Sequence, residues 1–408
     1  MNELRKTTLR NEVDFLVGFP FKSEGYSSEG VRLLRGDNIA QGTLSWSDAK
    51  KWPIYEHGNF EPYELQEGDI VLAMDRPWID AGLKYASVSR YDLPCLLVQR
   101  TARLRGGKNL DTKFLKYVIG SPQFTKYIKF ITTGSLVPHI SGNQIKDFSV
   151  YLPHLSIQKK IAAVLSALDA KIDCNNRINA ELEAMAKTLY DYWFVQFDFP
   201  FDFAQGKPDQ NGKPYKSSGG KMTYNPTLKR DIPAGWEAAL IGDVLGKVPT
   251  TAKVLNKDIL NTGAIPVIDQ GQSYICGFTD DRSSLIVPTQ PHVVFGDHTR
   301  AVKLVNFSYA RGADGTQILL SNSPKMPGYL MYQVVSDVDL SSYGYARHFK
   351  FLKESTTVLP EQTVAQRYQD VVSPWFEKIK ESVFENLELS RLREWLLPML
   401  MNGQVTVK

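Results

Sequence analysis

Two stretches of this chain match without a gap when 152–194 is shifted by 207 positions onto 359–401. Leu152-Pro153 falls on Leu359-Pro360, Lys171-Ile172 on Lys378-Ile379, Asn179, Glu181 and Leu182 on Asn386, Glu388 and Leu389, and Leu189 on Leu396. An ungapped register this long implies two related halves, each a globular block followed by a long helix. In the first copy Ile161, Leu168, Leu182 and Leu189 recur at heptad spacing, with Asn175 completing the row. Val164, Lys171, Ile178, Met185 and Tyr192 form a second row, and Tyr368, Trp375, Ser382, Leu389 and Leu396 repeat the first row in the second copy. The pattern predicts a coiled-coil seam whose polar breaks fix register at some cost in stability. A helix of this length spans roughly 60 Å. It cannot bury such a seam alone, and its simplest partner is the other copy, paired antiparallel about a pseudo-twofold axis. The alternative is that each helix packs only on its own block. Ser156 and Thr363 are the expected N-caps, Thr363-Val364-Ala365-Gln366 an expected capping box, and Pro398 is expected to end the second helix near Leu396.

The expected fold class is therefore α+β: two mixed α/β domains, 1–151 and 232–358, joined by long helices at 152–199 and 359–408, with a connector at 200–231. Gly68–Met74, Pro94–Gln99, Pro291–Asp297 and Ala301–Val305 read as buried strands, and 112–131 reads as helix. Gly328–Tyr332 occupies the place in the second block that Lys113–Tyr117 occupies in the first. Outside the helices the blocks match poorly, as one scaffold carrying two different faces would. The connector is rich in Pro and Gly, and few of its residues can be buried.

Length alone calls for two or three domains. Hydrophobic and charged fractions of 43% and 23% are those of a globular protein. No apolar run approaches the length of a membrane span, and no secretory signal is expected behind Met1–Lys6. Cys95, Cys174 and Cys276 form no Cys-x-x-Cys pair, which fits reduced thiols in a cytoplasmic protein rather than a disulfide frame or a zinc site. The net charge of +4 says little, but Arg100, Arg103, Arg105, Lys108, Lys113, Lys116, Lys126 and Lys129 face one acid, Asp111, with Phe114, Tyr117, Phe124, Tyr127 and Phe130 interleaved. Such a surface suits a polyanion, and the plain alternative is a solvated helix with its aromatics inward. Catalytic motifs are missing: no P-loop, no dinucleotide fingerprint, no Gly-x-Ser-x-Gly, no His-Glu-x-x-His. Tyr224-Asn225-Pro226-Thr227 faintly resembles the Asn-Pro-Pro-Tyr loop of amino-methyltransferases but lacks the second Pro and the stacking aromatic.

Leu152-Pro153-His154-Leu155-Ser156-Ile157-Gln158-Lys159-Lys160-Ile161, Leu165–Asp169 and Trp193-Phe194 resemble the specificity subunits of type I restriction–modification systems. Ile232-Pro233-Ala234-Gly235-Trp236-Glu237 looks like that family's opening of a second recognition domain, and Leu392–Leu400 with Gly403 like its close. The first block lacks an Ile-Pro-x-Gly-Trp opening, which leaves the start of its domain open. The resemblance implies two target recognition domains, each reading half of a split, asymmetric site on double-stranded DNA. It implies helices that dock two modification (M) methyltransferase subunits, with restriction (R) subunits joining the assembled complex. It implies no catalysis and no cofactor in this chain, S-adenosylmethionine, ATP and Mg2+ being used by the partners, and no membrane. The rival readings are a self-contained DNA adenine methyltransferase and a coiled-coil adaptor that binds no DNA.

In the second domain the resemblance points to Gly296–Arg300, Ala313–Thr316, Tyr345–Phe349 and Ile265–Gly271. Arg300 and Arg347 suit guanine or phosphate, His298, Thr299 and His348 can bond either, and Gln270 can read adenine. Asp297 is expected either to accept from a cytosine amine or to hold Arg300. In the first domain the candidates are His139 (with Pro138 as the counterpart of Arg347-His348), Ser135, Arg35, Lys84 and Arg76, beside Asn38 and Trp78. Bracing of loops is the alternative for most of these.

Overall fold

The computed structural model describes residues 4–53, 60–79, 82–132, 138–209, 211–248, 250–344, 347–405 and 407. Two helices far longer than the rest, Leu155–Tyr190 and Gln362–Met401, run through a chain of otherwise short strands and helices. The chain divides into two compact units, Met1–Asp173 with Asn386–Lys408, and Cys174–Glu385, so the division falls within both long helices.

In the first unit a five-stranded sheet has the order Val13–Val17, Thr101–Gly106, Ile70–Ala73, Tyr85–Ser87, Gln41–Gly42. Ile70-Val71-Leu72-Ala73 is buried at every position, as a central strand covered on both faces must be. A second sheet joins Cys95–Leu97, Val31–Leu34 and Lys51–Trp52. The helix expected over 112–131 is two helices, Thr112–Ile119 and Pro122–Ile131. Asp111 and Ser121 cap them through the amides of Phe114 and Phe124, and Pro122 stands where a helix start tolerates it. At the break, a Cβ on Gly120 would lie 2.1 Å from the Tyr85 hydroxyl, so only glycine fits. Strand Arg5–Thr8 pairs antiparallel with Ser149–Leu152, the strand that leads into the first long helix.

The second unit repeats that last pairing: Glu237–Leu240 runs antiparallel to Thr356–Leu359, which leads into the second long helix. Its sheets are Gly277–Thr279, Ile265–Ile268, Tyr309–Arg311, Leu285–Ile286 in that order, and Val302–Val305, His292–Gly296, Thr316–Leu319. The connector is more organised than its composition suggests. Pro200–Asp202 pairs with Lys207–Pro208 and Lys213–Pro214, and Tyr215 stacks on Phe199, which stacks on Trp236.

Within the first unit, Ile161, Ala162 and Leu165 share a core with Leu396, Leu397 and Leu400. Asp169 accepts from Arg393 (2.8 Å), Lys116 (2.6 Å) and the Tyr117 hydroxyl (2.9 Å). Within the second, the Tyr368 hydroxyl donates to the Ala186 carbonyl (3.0 Å), and Leu182, Leu189 and Trp193 pack with Val364, Val372, Phe376 and Ile379. Asn175 donates to Glu385 (2.7 Å). The start of each long helix thus meets the end of the other.

Three expectations about these helices need correction. The second buried row is Leu165, Ile172, Asn179, Ala186 and Trp193, four residues beyond the first row rather than three. Ile178 (39% exposed), Met185 (48%) and Tyr192 (38%) face solvent instead. The N-terminal amides bond to the carbonyls of His154 and Glu361, so these, not Ser156 and Thr363, stand at the N-cap, and no capping box forms at Thr363. The second helix continues through Pro374 and Pro398 to Met401. The residues whose carbonyls lose a partner, Asp370 and Glu394, are exposed. Among the described residues no helix is long and apolar enough to cross a membrane.

Candidate nucleic-acid interface

In the first unit the chain leaves the central strand at Ala73 and turns through Met74-Asp75-Arg76. Three loops are joined there by backbone bonds: Met74 N–H to Arg100 O, Ile140 N–H to Met74 O and Arg76 N–H to Pro138 O. Beside them lies a cleft of about 430 Å³ walled by Arg35, Asp37, Asp75, Arg76, Lys84 and Arg100. The structure therefore brings Arg35, Arg76 and Lys84 to one place and adds Arg100, which the sequence groups with the basic, aromatic-laced stretch. Arg76 (φ 43°) and Arg100 (φ 65°) both hold the left-handed backbone that non-glycine residues rarely adopt.

His139 stands against the same loops, its Nδ1 2.5 Å from Asp75 Oδ1, while Arg100 Nη1 donates to Asp75 Oδ2 at 2.8 Å. Burial alone would push the Asp75 carboxyl up, but His139 and Arg100 outweigh it and hold the group below the ordinary carboxylate range. Arg35 meets Asp37 at 3.4 Å, and its backbone amide donates to Asn38, which donates to Ser45 O, so Asn38 braces a loop. Trp78 donates to Thr132 and lies under Lys129. Ser135 lies outside the described residues.

The basic, aromatic-laced stretch does not form one surface. Arg103 and Arg105 lie in a strand and pair with Asp14 and Asp69, and Lys116 pairs with Asp169. Phe114, Tyr117 and Phe124 are core, and Phe130 alone of the five aromatics is largely exposed, at 79%.

In the second unit the corresponding place follows strand His292–Gly296. Gln270, the backbone of His298 and Thr299 come together and hold each other. The Gln270 amide donates to Asp314 O (3.0 Å) and accepts the His298 backbone N–H (3.2 Å), and the Thr299 hydroxyl donates to Gln270 O (2.5 Å). Gly315, at φ 75°, lets this happen, since a Cβ there would lie 2.6 Å from the Gln270 amide. Each side of the Gln270 amide thus makes one bond within the loop set.

His348, expected to donate to DNA, is enclosed instead. It is buried, with Nδ1 3.0 Å from Asp297 O and Nε2 3.0 Å from Gly344 O. Asp297 does not hold Arg300; its carboxylate accepts the Phe349 N–H (2.9 Å) at the start of helix His348–Glu354. Arg300 adopts φ 61° and donates to Leu340 O at 3.2 Å. Arg347, exposed at the N-terminal edge of that helix, has no ion-pair partner among the described residues. Arg300 and Arg347 are thus the candidates here with charge still to offer.

In both units an Asp that follows a central strand meets a His: the Asp75 carboxylate meets His139, which precedes helix Gly142–Lys146, and the Asp297 backbone carbonyl meets His348, the first residue of its helix. The methyltransferase-like tetrapeptide is a turn: Asn225 Oδ1 accepts the amides of Thr227 and Leu228 between strands Met222–Asn225 and Arg230–Pro233. Among the described residues no group of His, Cys, Asp and Glu is arranged to hold a metal ion.

Residues 29–184 match the family model described as type I restriction modification DNA specificity domain. The EcoAI type I restriction enzyme specificity subunit of Escherichia coli is 38% identical over 176 residues, 43% of this chain and 29% of that protein. The MjaIX specificity subunit of Methanocaldococcus jannaschii is 24% identical over 322 residues, 73% of this chain and 70% of that one. The HindI specificity subunit of Haemophilus influenzae is 24% identical over 421 residues, covering 84% and 87%. A crystal structure of the S subunit from M. genitalium matches with TM-score 0.56 at 14% identity, over 98% of this chain and 96% of that one, a likeness of fold. The alignment thus spans less than a third of the EcoAI subunit and most of the HindI subunit.

Proposed function

We propose, from the premise that this chain is a member of the type I restriction–modification specificity-subunit family, that each unit reads one half of a bipartite, asymmetric site on double-stranded DNA. The observation that carries the reading is the pair of matching loop clusters, each following a central strand. One holds Arg35, Arg76, Lys84 and Arg100 around a cleft, the other exposes Arg300 and Arg347. Arginine and lysine positioned on rigid loops suit phosphates and guanine edges. The domains follow the divisions 1–151, 152–199, 200–231, 232–358 and 359–408, and the long helices act as an antiparallel coiled-coil pair with pseudo-twofold symmetry. In support, the heptad rows of the two copies bury equivalent positions, and each helix start meets the other's end.

The same helices dock two M subunits, for which the solvent-facing Ile178, Met185 and Tyr192 on one, and Val371 and Leu392 on the other, offer apolar contact. The chain itself carries out no chemistry. M subunits supply methylation with S-adenosylmethionine, and R subunits, with ATP and Mg2+, join the cytoplasmic complex.

The test is to express the chain with its M subunit and map methylated adenines genome-wide. One split motif, lost when either loop cluster is stripped of its arginines, is the expected result. Methylation by the pure chain without a partner, or a partner-bound chain that protects no DNA, would refute the proposal.

A further inference from the structure

Asp75 is out of place in a cleft meant for a polyanion. Its carboxylate adds repulsion where four cations gather, yet it is held charged. It is not needed to join the loops, because Met74, Arg76 and Ile140 already bond to Arg100, Pro138 and Met74 through backbone. What it does hold is two exposed side chains. Arg100, 71% exposed at its side chain, donates to one carboxylate oxygen, and His139, 54% exposed, meets the other. A long arginine free in solvent loses side-chain entropy when it docks, and a carboxylate partner removes much of that cost beforehand. With Nδ1 of His139 engaged, Nε2 is the nitrogen left for a ligand. The left-handed backbones of Arg76 and Arg100 add a second sign of a site held in a fixed shape.

We propose that Asp75 is a positioning residue that presents Arg100 and His139 to DNA as one oriented donor set, and that Arg100 contacts the half-site read by the first unit. The inference rests on the DNA-reading function above. It makes a prediction opposite in sign to simple electrostatics. Removing a negative charge near DNA strengthens binding by reducing repulsion; removing Asp75 weakens it, because the donors lose their orientation.

The experiment measures binding of the full chain, assembled with its M subunit, to the mapped site and to duplexes with either half altered, across a salt series. Asp75→Asn is expected to weaken the intact site on the order of tenfold and to relax discrimination at one half only, the same half affected by Arg100→Ala. Combining Asp75→Asn with Arg100→Ala adds less than the sum of the two, and Asp75→Glu restores part of the loss. Asp75→Asn binding as tightly as the parent overturns the inference. So does Arg100→Ala with a normal melting curve and both half-sites intact, a readout that stands even if the Asp75 variant folds poorly. Failure of the parent complex to discriminate either half would instead remove the function on which the inference rests.

Discussion

At the residue scale, side chains of one chemical type divide sharply by what they already touch. Arg347 has charge to offer, and Arg347→Ala is expected to cost about 1–3 kcal/mol at one half-site if the contact is bidentate. An equal loss on unrelated sequences, measured by titration on both, would mark a phosphate contact instead. His348, its neighbour, is buried between the carbonyls of Asp297 and Gly344. His348→Ala is therefore expected to lower the stability of its unit by about 1–3 kcal/mol in denaturant unfolding, with base discrimination unchanged among the molecules that remain folded. The sequence could bring His348, Gln270 and Asp297 to a shared loop set but could not tell reading from bracing. A polar side chain looks the same in either role until its partners are known, and those partners, the backbone groups of Gly344, Asp314 and Phe349, have no signature in the sequence. The sequence groups Arg100 with the basic stretch rather than with the cleft for the converse reason. It sits at the head of a run of basic residues, and nothing local says that a left-handed turn carries it away from them to the cleft.

At the element scale, the first heptad row was legible because leucines dominate it. The second row was misread because Ile178, Met185 and Tyr192 are as apolar as Leu165, Ile172 and Trp193. The second copy does not decide between them either: Val371, Lys378, Glu385, Leu392 and Met399 at the three-residue spacing are as apolar as Val372, Ile379, Asn386, Arg393 and Leu400 at the four-residue one. The polar breaks differ in kind. Ser382 is buried with no hydrogen-bond partner for its hydroxyl among the described residues, and Ser382→Ala is expected to stabilise the fold by up to about 1 kcal/mol, read as a rise in melting temperature. Asp169 is the opposite case. Burial opposes its charge, but Lys116, Arg393 and Tyr117 prevail and hold its carboxyl below the usual range. A depressed carboxyl stabilises fully above the unfolded value of about 3.9 and loses that contribution as pH falls through the folded one. Asp169→Asn is expected to cost roughly 1–3 kcal/mol near pH 7, allowing for its part-exposed partners, and the gap to the parent should close in unfolding curves taken at progressively lower pH below about 4.

At the scale of the whole chain, the shifted match made the two long helices legible, whereas the start of the first block was not. Its opening strand Arg5–Thr8 has none of the Ile-Pro-x-Gly-Trp character of the second, and only its pairing with Ser149–Leu152 makes it the equivalent of Glu237–Leu240. If the long helices set the gap between half-sites, a matched insertion of seven residues in each preserves the heptad phase. It should lengthen the unread gap in the methylation motif, by about three base pairs for roughly 10 Å of added helix, with both half-sites unchanged. An unaltered gap would mean that the helices do not measure it. The twofold tethering of the Gln270 amide has a kinetic corollary. A loop already locked before its ligand arrives has little folding left to do on contact, so encounter should be quick and indifferent to most single substitutions there. The consequences of altering Arg300 should then appear as shortened residence on the duplex rather than as slower arrival.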